Sequence, residues 1–152
     1  MKLDLSVAPE IALLARCPAA ATAPGPGGGH GPRATLGQLA GGLDVLLAEP
    51  QRWWDLVRFD PQRAVQAEVP APGTGGRAWL LVAPPGYRGE GPGWDVACLV
   101  AGELAEQAVT PGGLVTRPLR AGRILVRGEA STGRVMVNTG TGYAILLAAR
   151  PA

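Results

Sequence analysis

Apolar residues recur at helical spacing in one short stretch of the chain and alternate in short runs through most of the residues beyond it. Leu36, Leu39, Leu43, Leu46 and Leu47 fall on one helical face. Thr35-Leu36-Gly37-Gln38 ahead of them fits a capping box, the Thr hydroxyl accepting from the Gln38 backbone N–H. Gly41-Gly42 weakens this helix, which must then rely on tertiary packing. Pro50 sits where a second short helix starts, carrying Trp53, Trp54 and Val57 to a stop at Asp60-Pro61. From Ala64 the pattern predicts strands. Ala64–Val69 and Arg77–Ala83 flank the turn Pro70–Gly76, and Trp94–Val100 passes through Ala101-Gly102 into Glu103–Val109 as a hairpin. Pro111–Gly113 turns into Leu114–Pro118, and Ala121-Gly122 into Arg123–Arg127. Arg134–Asn138, the turn Thr139–Gly142 and Tyr143–Ala149 close the series. About eight short strands with turn signals between them predict a mainly β jelly-roll or barrel, with a short α-helical N-terminal part packed on it.

The leading residues are different. Residues 1–17 form a short apolar segment in which Leu3, Leu5 and Val7 alternate. Residues 18–33 are Ala, Pro and Gly with little else, a composition that cannot offset its own conformational entropy by burial and predicts a flexible linker. The folded domain is therefore expected over 34–152. A chain of 152 residues, 47% hydrophobic and 17% charged, suffices for one core of ordinary size.

Charge narrows the partners. A net charge of +2 with scattered basic residues gives no electrostatic footprint for nucleic acid. No stretch approaches the roughly 20 apolar residues of a membrane span. Asp4 and Glu10 interrupt the apolar start, so a signal peptide is not expected and the simplest localisation is cytoplasmic. Cys17 and Cys98 do not make a disulfide framework, and Cys98, inside an apolar run, reads as a small buried hydrophobe.

Candidate chemistry is sparse. The sequence has one histidine, His30, set in the Gly/Pro-rich run Ala23–Pro32. Ser6 and Ser131 have no imidazole near them in sequence, and Cys98 lacks a base as well. Gly25-x-Gly27 and Thr139-Gly-Thr-Gly142 lack the strand–loop–helix context of phosphate loops. Trp53, Trp54, Trp79 and Trp94 read first as packing groups, with Trp94 the exception that could fill or line a pocket. Arg117, Arg120, Arg123 and Arg127 recur within eleven residues, and a solvated edge is the default for them.

Several ordered pieces resemble one family. Leu46-Leu-Ala-Glu-Pro50 with Trp53-Trp54 and Leu56–Asp60 is similar to the helical lead-in of bacterial cysteine dioxygenase-like cupins. Arg77–Gly86 resembles their strand ending in Pro-Gly, and Leu99–Glu106 their Gly-x-Leu-x-Glu hairpin. Val137-Asn-Thr-Gly140 followed by Ala144–Pro151 resembles their closing strands. The resemblance covers about residues 35–151 and implies a cupin-type jelly-roll barrel. It also implies a divalent metal held by two or three inward histidines.

Every functional position of that pattern is substituted here. Tyr87–Asp95 holds no His-x-His, and Arg134 stands where the third histidine would. Leu146–Arg150 lacks the family's His and Tyr, and Gln66 lies near the place of the Arg that holds a cysteine carboxylate. A guanidinium is permanently protonated and cannot replace an imidazole donor. The resemblance thus implies a degenerate member: a non-catalytic binding or regulatory interaction module, without cofactor. Its partner is expected to be a protein or a second copy in a homodimer, with a small anionic ligand as the further candidate. The pocket residues are Arg134, Trp94, Gln66, Met136 and Tyr143. The alternative is an atypical enzyme, metal-independent or with a hard metal on Glu90 and Asp95, using Arg134 and Tyr143 in the same barrel.

Overall fold

A computed structural model describes residues 33–73, 75–127 and 134–152. The expected N-terminal segment, nearly all of the expected linker, Cys17 and His30 lie outside those residues.

Helix α1 spans Leu36–Ala48. Its capping box is complete: Thr35 Oγ1 accepts from the Gln38 N–H, and the Gln38 side chain accepts from the Thr35 N–H at 2.8 Å. The expected second helix is instead two single 3-10 turns, Pro50–Arg52 and Trp54–Leu56. The tighter path brings Trp53 back under α1, where its indole N–H donates to the Leu46 carbonyl at 2.7 Å and the ring is buried.

Among the described residues nine strands come next: β1 (Val65–Val69), β2 (Gly76–Ala83), β3 (Arg88–Gly89), β4 (Val96–Ala101), β5 (Ala105–Thr110), β6 (Gly113–Pro118), β7 (Ile124–Val126), β8 (Arg134–Val137) and β9 (Ala144–Pro151). They form two sheets, ordered β1-β2-β9-β4-β7 and β3-β8-β5-β6, and every strand pairing within them is antiparallel. The two-residue strand β3 was not apparent in the sequence pattern.

The β1–β2 and β5–β6 hairpins form at the expected turns. The expected hairpin of residues 94–109 does not. β4 lies between β9 and β7 in the larger sheet, while β5 lies between β8 and β6 in the smaller one. The chain changes sheets at Gly102, where φ is +80° and an added Cβ would come within 2.7 Å of the Ala144 Cα. Only glycine meets both conditions without strain.

Each face of the larger sheet carries a buried apolar cluster. On the outer face, Leu39, Leu43 and Leu46 of α1, together with Trp53 and Val57, pack on Leu80, Val82, Val96 and Leu147. The inner face carries Leu81, Ala97, Leu99, Leu146 and Ala148, packed with Leu104, Met136 and Trp94. The fold is thus a mainly β two-sheet barrel with a helical layer on one outer face. Among the described residues no helix is long and apolar enough to cross a membrane.

Candidate functional site

The period of two along each strand decides what enters the barrel. Cross-strand partners share a face, so Met136, buried at 1% exposure, fixes the inward side of the smaller sheet. Glu106 stands opposite Met136, and Ala108 opposite Arg134, in the β5–β8 ladder. On the other side of β5, Arg117 of β6 stands opposite Glu106. The inward set of this sheet therefore contains Glu106, Met136, Arg134 and Arg117.

Glu106 is buried, and both its carboxylate oxygens are taken by arginines. Arg134 Nη1 donates to Oε2 at 2.7 Å, and Arg127 Nη2 donates to Oε1. The Arg127 guanidinium also lies over the Trp94 ring, 4.0 Å from its centroid, a cation–π contact of roughly 0.5–2 kcal/mol. Its Nε is buried with no hydrogen-bond partner among the described residues. The cluster pairs two positive charges with one negative charge against an apolar floor, which leaves it one positive charge in excess.

The segment between β3 and β4 runs across this interior. At Gly91, φ +64°, an added Cβ would meet Met136 Cγ at 3.1 Å and Leu81 Cδ2 at 3.9 Å. Tyr87 packs against the same inner cluster, and burial pushes its phenol pKa up while a hydrogen bond with the Gly91 backbone pulls it back. Asp95 is tied by its backbone, its N–H donating to the Ala149 carbonyl and its carbonyl accepting from the Arg127 N–H. Trp94 is thereby held in the barrel beneath Arg127.

Of the residues singled out from sequence, Arg134, Met136 and Trp94 come together around this group. Gln66 stands opposite Leu81, so it is on the inward face, but it is exposed on edge strand β1. Tyr143 is not brought to the group. It precedes the inward Ala144 and packs with the outer core, edge-on to Phe59 at 4.9 Å between ring centroids. Glu90 is exposed and Asp95 half-buried. Glu106 and Arg127 were not singled out as pocket residues. Glu106 was visible locally as the last residue of Gly102-x-Leu104-x-Glu106, but its partners lie 21 and 28 residues away in sequence.

A divalent metal, which the resemblance implies, does not fit these residues. No group of three or more His, Cys, Asp or Glu side chains that could hold one occurs among the described residues. The buried inward carboxylate, Glu106, is already shared by two guanidiniums, and these would repel a cation. The donor set favours an anion.

No protein-family model and no curated protein matches this chain. Solved structures do. A recombinant oxalate oxidase in complex with glycolate superposes with TM-score 0.50 at 18% identity, over 64% of this chain and 56% of that one. A cupin superfamily protein from Desulfitobacterium hafniense gives TM-score 0.49 at 12% identity, over 66% and 87% of the two chains. A cupin domain from Bordetella pertussis gives 0.47 at 17% identity, over 62% and 99%. The chain thus spans little more than half the length of the oxalate oxidase it matches. The oxalate oxidase likeness concerns the fold alone, a mainly β two-sheet barrel.

Proposed function

We propose that this chain is a non-catalytic cupin-type binding domain whose barrel takes a small carboxylate- or phosphate-bearing ligand on Arg127 and Arg134. The observation that carries the proposal is the shared carboxylate of Glu106, which supplies one negative charge to two guanidiniums on a floor of Leu, Met and Trp. An arginine fork matches carboxylate and phosphate geometry, and a desolvated site makes each such contact stronger than in water. Glu106 then acts as a resident counter-ion that keeps the arginines preorganised until a ligand shares them. A role as an interaction module, with a protein or a second copy as partner, is compatible with the exposed Val109 and Leu114 of the β5–β6 hairpin.

Thermal unfolding of tag-free protein tests the proposal. Carboxylates or inorganic phosphate should raise the midpoint in proportion to the logarithm of their concentration, as binding to the native state alone requires. The shift should vanish in Arg134→Met, which leaves Arg127 paired with Glu106. Unchanged midpoints across the panel would sink the anion site. Stoichiometric iron, nickel or zinc retained after dialysis would sink the non-catalytic assignment.

A further inference from the structure

A second cationic group stands at the same end of the barrel. Arg77 and Arg150 are direct cross-strand partners in the β2–β9 ladder. Both guanidiniums lie over the Trp79 ring, at 5.3 and 4.8 Å from its centroid. Trp79 stands opposite Ala148, an inner-core residue, so the three side chains share the inward face. The same end of the larger sheet holds the start of β4 and the end of β7, which lead to Trp94 and Arg127. Arg150 also reaches the loop that carries Trp94: an added Cβ on Gly93 would meet its Nη1 at 3.4 Å.

Two like charges placed directly across an antiparallel pair oppose each other. One is compensated. Arg77 is held bidentately by Glu68, with Nε and Nη2 each 2.9 Å from a carboxylate oxygen, and this neighbour lowers the Glu68 pKa. Arg150 has no ion-pair partner among the described residues. It is exposed, and it is braced by the Trp79 face rather than by an acid. A guanidinium oriented by an aromatic ring, with its hydrogen-bonding edge uncommitted, is a ready contact for an anionic group.

We infer that the ligand of the Arg127–Arg134 site is a dianion, with one anionic group inside the barrel and a second, across a short spacer, at Arg150. This rests on the anion-binding proposal and adds the ligand's second charge. Calorimetric titration of the full chain with linear diacids of increasing length, each paired with the monoacid of equal carbon number, tests it. At least one diacid should bind about ten-fold tighter than its monoacid, as one added charge-assisted contact would give. Arg150→Gln should abolish that preference, bringing each diacid to the affinity of its monoacid. Equal affinity of every diacid and its monoacid would overturn the inference while leaving the anion site intact. Absence of binding by both series would overturn the anion site itself. A preference that survives Arg150→Gln would also overturn the inference, since the second charge would then be held elsewhere.

Discussion

Asn138 and Glu106 are the buried polar side chains among the described residues, and each is satisfied across long sequence distances. Asn138 Nδ2 donates to the carbonyls of Ala83, Pro84 and Gly142, at 3.0, 3.0 and 2.8 Å, while its Oδ1 accepts from the Gly140 N–H. One amide thus fastens the end of β2 to the turn before β9. Asn138→Ala strands those backbone groups in a region with little water and should cost about 1–3 kcal/mol, read as a lower urea midpoint. A midpoint unchanged within error would show that water replaces the amide. The bond to Gly140 is a local Asn turn legible in Asn138-Thr-Gly140. The bonds to Ala83 and Pro84 span 55 and 54 residues, and no local pattern encodes them. Glu106 illustrates the same limit, because its chemistry depends on which arginines the two sheets bring to it.

Helix α1 shows what an element's own sequence specifies. Its cap was readable, and of the five leucines on its expected apolar face Leu39, Leu43 and Leu46 are buried, Leu47 is half-buried and Leu36 is exposed. Its glycines were readable only as weaknesses, and the fold separates them. At Gly42 an added Cβ would meet the Pro72 carbonyl oxygen at 3.4 Å, an ordinary van der Waals contact with the β1–β2 turn. Gly41 faces solvent with nothing within 4 Å. Gly41→Ala should therefore stabilise the protein by roughly 0.5–1 kcal/mol, through helix propensity and a less disordered unfolded chain. A loss of stability on thermal unfolding would mean that this face of α1 is covered. The strands were equally legible as elements, but their partners were not. β4 and β5 are adjacent in sequence yet belong to different sheets, which the sequence does not reveal because a glycine turn with positive φ reads alike in a hairpin and in a sheet-to-sheet crossing.

At the scale of the whole molecule, β4 between β9 and β7 makes Cys98 a reporter of global opening. Its side chain is fully buried, and desolvation pushes the thiol pKa up from its ordinary value. The folded state thus disfavours the thiolate. Stability is full below the unfolded thiol's pKa and declines as pH rises through and beyond it. In a Cys17→Ser background, a thiol reagent at pH 8 should leave the native protein unmodified and label it once it is unfolded in urea. Rapid labelling of native protein would mean that the larger sheet opens locally at β4.

By itself the sequence determined the strand-rich class, the capped helix and a histidine count of one. Composition and short-range periodicity are properties of the chain before it folds. Only the tertiary structure decided that Trp94, Arg127, Glu106 and Arg134 meet inside one barrel, that Tyr143 packs on the opposite face of its sheet, and that Arg150 and Trp79 stand at the same mouth. Alternation assigns each residue to one of two faces. Which face turns inward, and which residues it then meets, is set by strand order and register between segments far apart in the chain.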